Sequence, residues 1–157
     1  MQVTARAEYA VQAVVELASL APASATRAQL ATAQAIPGKF LEAILIDLKK
    51  SGLLAAQRGA AGGYTLAVPA DRISLADIIR AVDGPLAAVR GLPPESSNYS
   101  GSTSALREVW VAVRASLRQV LETTSVADVV SGDLPEAVRA LVADDGAWHR
   151  RGAGTIG

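Results

Sequence analysis

The chain has 157 residues, 15 basic and 15 acidic, and half of it is apolar, which suits one folded domain, or one domain with a helical extension. Zero net charge means that any nucleic-acid contact must come from a local patch. With no cysteine and one histidine, His149, the chain cannot form disulfides, thiolate clusters or the usual structural zinc sites, and no metal or other cofactor is expected.

In chain order, Thr4 is suited to cap a first helix carrying Ala10, Val14, Leu17, Ala18 and Ala21 on one stripe and ending near Pro22. Arg6, Glu8 and Glu16 interrupt its apolar character, so it is not read as a leader or membrane span, and the chain is expected to be cytoplasmic. Thr26 and Gln29 form a Thr-x-x-Gln capping box that opens a short second helix running to about Gln34. Pro37 then suits the first turn of a third helix, with Gly52 just beyond its end. Phe40, Leu41, Ile44, Leu45 and Leu48 read as its apolar face, which leaves Gly38, Lys39, Glu42, Ala43 and Asp47 on the other side.

After Gly52 the period changes. Residues 53–57 and 64–68 read as strands around Arg58-Gly-Ala-Ala-Gly-Gly63, a hairpin with its tip at the glycines. A phosphate-binding loop would need a Lys-Ser/Thr and a following helix, and here the glycines Gly59, Gly62 and Gly63 lead into a strand. Three helices and a hairpin are the order of a winged helix-turn-helix. In that arrangement the third helix is the recognition helix. Lys39 can then reach phosphate or guanine, Glu42 can accept from cytosine N4, and Arg58 on a slim wing suits the minor groove. Solvated surface charge, or a helical ion pair in the case of Lys39 and Glu42, is the competing reading of each.

Ser74 and Asp77 mark another helix start, running to Val82 before Gly84-Pro85. Residues 85–103 form a long connection rich in proline, glycine and hydroxyls. Beyond it Leu106, Trp110, Val113, Leu117 and Val120 recur by four and three along a helix of roughly 18 residues, a seam that calls for a second helix. Ser125 and Asp128 start one short helix more, and the tail from Ala147 reads as disordered. The expected fold class is therefore mainly α with a small β-hairpin: a winged helix-turn-helix over residues 1–84, a linker over 85–103, a dimerisation helix and short cap helix over 104–134, and a C-terminal segment over 135–157. Ser100, Ser102, Thr103 and Ser104 form a candidate effector loop at the start of the long helix, where an anion or small polar metabolite could sit, against the plainer reading of a routine cap.

The segments Ala7-Glu-Tyr-Ala, Ile36-Pro-Gly-Lys-Phe-Leu-Glu42, Leu48-Lys-Lys-Ser-Gly-Leu-Leu54, Arg58-Gly-Ala-Ala-Gly-Gly-Tyr64, Ile73-Ser-Leu-Ala-Asp-Ile-Ile79 and Asp83-Gly-Pro together resemble the Rrf2 family of bacterial transcription regulators. The resemblance runs from about Thr4 to Asp133. It implies a homodimer on double-stranded DNA with a palindromic operator, Arg58 in the minor groove, Glu42 in base selection, Lys39 at the major groove, and Arg6 and Tyr9 near the phosphate backbone. Gln29, Pro37, Gly38, Gly59, Gly62 and Gly63 complete the expected DNA-facing set. Many members hold an iron-sulfur cluster on three cysteines between the DNA-binding part and the long helix; here Asn98 and Ser104 stand near two of those places. The chain looks closer to cysteine-free members, some of them similar to regulators of cysteine and sulfur metabolism, and residues 99–110 are similar to an actinobacterial branch.

Two further functional classes stand beside a repressor. A protein-binding winged helix is kept open by the weak local charge, since residues 1–67 carry six basic and four acidic groups, a net of +2. A protein corepressor would reconcile the two. An enzyme is not expected, because no nucleophile-base pair is present and Asp144-Asp145 reads as a solvated acidic pair.

Overall fold

The computed structural model describes residues 2–60 and 62–149. Its elements are α1 (Ala5–Leu20), α2 (Arg27–Ala33), α3 (Gly38–Lys50), β1 (Leu54–Gln57), β2 (Gly63–Leu66), α4 (Leu75–Asp83), α5 (Leu106–Leu121), α6 (Val126–Ser131) and α7 (Glu136–Val142). This is a mainly helical winged helix-turn-helix with one two-stranded antiparallel hairpin.

Capping chemistry sets most helix starts. Thr4 Oγ1 accepts from the Ala7 amide, and complete capping boxes open α2 (Thr26/Gln29), α4 (Ser74/Asp77) and α6 (Ser125/Asp128). The turn between α2 and α3 is closed by Ala35 in the left-handed region at φ 51°, with the Ile36 amide donating to the Ala31 carbonyl, a Schellman closure built without glycine.

The core lies where α1 meets α3, α4, α6 and the hairpin. Leu17, Leu30, Leu41, Ile44, Leu45, Leu48, Ile73, Ile78 and Val126 are fully buried in one cluster. Val126 belongs to α6, so the short cap helix expected beside the dimerisation helix packs its first residue into this core. The Val126 amide donates to Ile73 and the Leu75 amide to Thr124, which stitches the start of α6 to the start of α4.

Three other expectations change. Phe40 is 56% exposed, and only Leu41, Ile44, Leu45 and Leu48 form the buried face of α3. Phe40 instead stands edge-on to Tyr9 with ring centroids 6.3 Å apart. The segment after α6 contains α7, which the sequence pattern did not reveal. Ala147 to His149 are ordered in a short turn, in which Trp148 Nε1 donates to the Val142 carbonyl at 2.7 Å and His149 Nδ1 lies 2.8 Å from the Asp145 carbonyl oxygen. The rest of the expected disordered tail lies outside the described residues.

Candidate nucleic-acid interface

The outward face of α3 follows from its inward one. With four apolar side chains committed to the core, Gly38, Lys39, Glu42, Ala43 and Ile46 are exposed. Pro37 is the N-cap; its carbonyl receives the Phe40 and Leu41 amides, and no side chain makes a capping hydrogen bond at the helix start. A Cβ added at Gly38 would meet nothing within 4 Å, so the first turn is bare and approachable.

The hairpin is fixed by glycine. Gly63 sits at φ 152°, and a Cβ there would lie 2.7 Å from the Ala25 carbonyl oxygen. That contact exists because Tyr64 and Ala25 exchange both backbone hydrogen bonds, at 2.8 and 3.1 Å, and so fasten the wing to the α1–α2 connection. Gly62 is equally constrained: its amide donates to Gly59, and a Cβ would lie 2.7 Å from the Gln57 and Gly59 carbonyls. Gly59 turns the wing at φ 108°. Arg58 is exposed at the base of the wing and, like Lys39, has no ion pair among the described residues.

Other expected contacts are engaged within the fold. Arg27 at the start of α2 holds Glu42 at 2.7 Å, both side chains being half exposed or more, so the competing reading of Glu42 as a paired helix-face charge is realised between two helices. The side-chain oxygen of Gln29 accepts from the Thr26 amide at 2.8 Å. Arg6 does not reach outward: its guanidinium pairs with Asp47 of α3, and its Nε donates to the Val82 carbonyl of α4 at 3.1 Å. Thr4 Oγ1 donates to Asp83 beside it. Arg6 and Tyr9 thus position α3 from α1. Sequence spacing does not reveal that clamp, because Asp47 and Val82 are remote from Arg6 along the chain.

On α5 no side chain is fully buried. Leu106 and Val109 are 36% and 49% exposed, while Trp110, Val113, Leu117 and Val120 are partly covered. Ser100, Ser102, Thr103 and Ser104 are all exposed. Thr103 Oγ1 donates to the Ser100 carbonyl, and the N-cap of α5 is Ala105, without a side-chain cap, so these hydroxyls do not form the helix cap considered from sequence.

Comparison with known proteins agrees with this architecture. The family model described as "Rrf2: Iron-dependent Transcriptional regulator" matches residues 3–132. The chain belongs to the Rrf2 family. It is 50% identical over 146 residues to Rv1287 of Mycobacterium tuberculosis strain H37Rv, named as a helix-turn-helix-type transcriptional regulator, with 92% of this chain and 90% of the relative covered. The structure of CymR, titled the global cysteine regulator of B. subtilis, superposes with a TM-score of 0.72 at 27% identity, covering 84% of this chain and 98% of that one. The T. potens IscR structure superposes at 0.69 with 27% identity, over 97% and 94% of the two chains. This Rrf2 chain is accordingly a DNA-binding transcriptional regulator of the winged helix-turn-helix type.

The iron in the family description does not fit the donors present here. The sequence has no cysteine, and among the described residues no three His, Cys, Asp or Glu side chains gather as a metal ion would require. Also among the described residues, no helix is long and apolar enough to cross a membrane.

Proposed function

We propose that this Rrf2 chain is a homodimeric repressor that binds a palindromic operator, with α3 of each copy in the major groove and the Arg58 wing in the adjacent minor groove. The observation that carries the reading is the pairing of a Pro37-started recognition helix, its first turn exposed, with an exposed arginine on a wing that Gly63 allows to lie against Ala25. Lys39 and Arg58 supply the cations, and Glu42 supplies a base acceptor once it is released from Arg27. That release costs little, since an exposed ion pair contributes about 0–1 kcal/mol.

The dimer reading rests on α5, an amphipathic helix whose apolar seam one chain covers only in part; a second copy completes the cover and sets the spacing of the two reading heads. The structural likeness to CymR, titled a cysteine regulator, supports genes of cysteine and sulfur metabolism as targets. Genome-wide mapping of bound DNA tests that part separately.

The central test is fluorescence anisotropy on DNA from the chain's own promoter at several salt concentrations. The logarithm of affinity is expected to fall linearly with the logarithm of salt, one phosphate contact for each unit of slope of about 0.9. Arg58→Ala is expected to weaken operator binding by about 1–3 kcal/mol, chiefly at an A·T-rich step. A salt-independent affinity, or one indifferent to Arg58, refutes the proposal. A stoichiometric protein partner with no retained promoter DNA would instead favour a protein-binding module.

A further inference from the structure

We infer that Ile46 reads a thymine methyl group in the major groove, seated between two lysine contacts to the groove walls; the inference rests on the operator reading above and names a residue that carries part of its sequence choice. Lys39, Ala43, Ile46 and Lys50 recur by four, three and four, so they form one stripe of α3, opposite the buried stripe of Leu41, Ile44, Leu45 and Leu48. All four are exposed, and neither lysine has an ion pair among the described residues. The stripe is thus apolar in the middle and cationic at both ends. At about 1.5 Å of rise for each residue its two lysines stand about 16 Å apart along the helix axis, which suffices to cross a major groove about 12 Å wide.

Ile46 is 45% exposed in the third turn of the helix. A β-branched side chain is a poorer helix former than alanine, and the part of it left in water returns nothing by burial. Against a duplex the same side chain is covered, and the apolar group that the major-groove edges offer is the C5 methyl of thymine. Ala43, one turn earlier, is too short to hold the groove floor away, and Lys39 and Lys50 supply the attraction to phosphate that an aliphatic face lacks. Phe40, the other large apolar residue exposed on α3, stands edge-on to Tyr9 and so leans on α1. The competing account is an isolated apolar side chain on a solvated helix face, with Lys50 merely complementing the carboxyl end of the helix dipole.

The two are separated with the full-length chain by anisotropy on two versions of a bound promoter fragment, identical except that deoxyuridine replaces every thymidine in one, so that only methyl groups are lost. The parent is expected to bind the methyl-bearing fragment about fourfold more tightly for each half-site, as burial of one methyl group implies. Ile46→Ala is expected to bring the ratio of the two affinities near unity, and Ile46→Val to keep most of it. Comparing the ratio between variants cancels any effect of the methyl groups on duplex shape. Lys50→Ala is expected to keep the ratio and to lower the slope of log affinity against log salt by about 0.9 for each copy bound. Equal affinity of the parent for the two fragments, or the same ratio in Ile46→Ala as in the parent, overturns the assignment of Ile46, even where binding stays salt-dependent and the operator reading stands. An unchanged slope in Lys50→Ala overturns the lysine contact at that end. A salt-independent affinity refutes the operator reading itself, and this inference with it.

Discussion

Arg58 and Glu42 show how far a single side chain can be read before the fold is known. Arg58 stands out in the sequence because a glycine-flanked cation after a recognition helix has few structural duties; in the structure it is exposed and has no ion pair among the described residues. Glu42 was half legible: its outward position follows from helical spacing, but its partner Arg27 is on another helix and is visible only once α2 and α3 cross. Replacing Glu42 with Gln removes a negative charge from the DNA-facing side while keeping an acceptor. The expected result is tighter binding to non-specific DNA, with discrimination at one base pair reduced by about 1–3 kcal/mol. Competition assays against single-base operator variants measure it, and the fold loses no more than about 1 kcal/mol with the exposed pair. Phe40 escaped the spacing argument because helical period says which residues align, not where the core stops. The stripe on α3 is five residues wide in sequence and four in the core.

At the scale of elements, caps were the most readable feature, since Ser or Thr followed three residues later by Asp or Gln makes a reciprocal pair of local hydrogen bonds that no distant residue is needed to complete. What those caps could not disclose is that the boxes at Ser74 and Ser125 lie side by side, joined by the Val126 to Ile73 and Leu75 to Thr124 hydrogen bonds. The short α7 passed unread because seven residues with no polar cap carry almost no periodic signal. The carboxyl of Asp128 is held below the ordinary aspartate range by the Ser125 amide first and the Ser125 hydroxyl second. A depressed carboxyl contributes stability that is present above its unfolded value and lost as pH falls through the folded one. Denaturation followed across acid pH should therefore show a shallower decline for Asp128→Asn than for the parent below the ordinary aspartate range. The wing gives a second test: Gly63→Ala places a methyl group against the Ala25 carbonyl at positive φ, and a loss of more than about 1 kcal/mol in urea unfolding is expected.

For the molecule as a whole, the apolar spacing of α5 is readable in the sequence and the place of α6 is not. The spacing is a regular pattern, a seam on one helix; the burial of Val126 in the core around α1 is decided only by tertiary packing. A negative charge on that seam, as in Val113→Asp, should leave the winged domain folded, because Val113 lies outside its core. Light scattering is expected to report a monomer, and operator affinity should fall far more than affinity for a single half-site, since one copy then pays the full entropy of association that two linked heads share.

The Arg6 clamp has a mechanical meaning for such an assembly. One guanidinium grips the side chain of Asp47 on α3 and the last turn of α4. Asp47 and Val82 are thereby tied to one side chain of α1, so a shift of α4 is expected to be felt at α3 through this guanidinium as well as through the direct packing of the two helices.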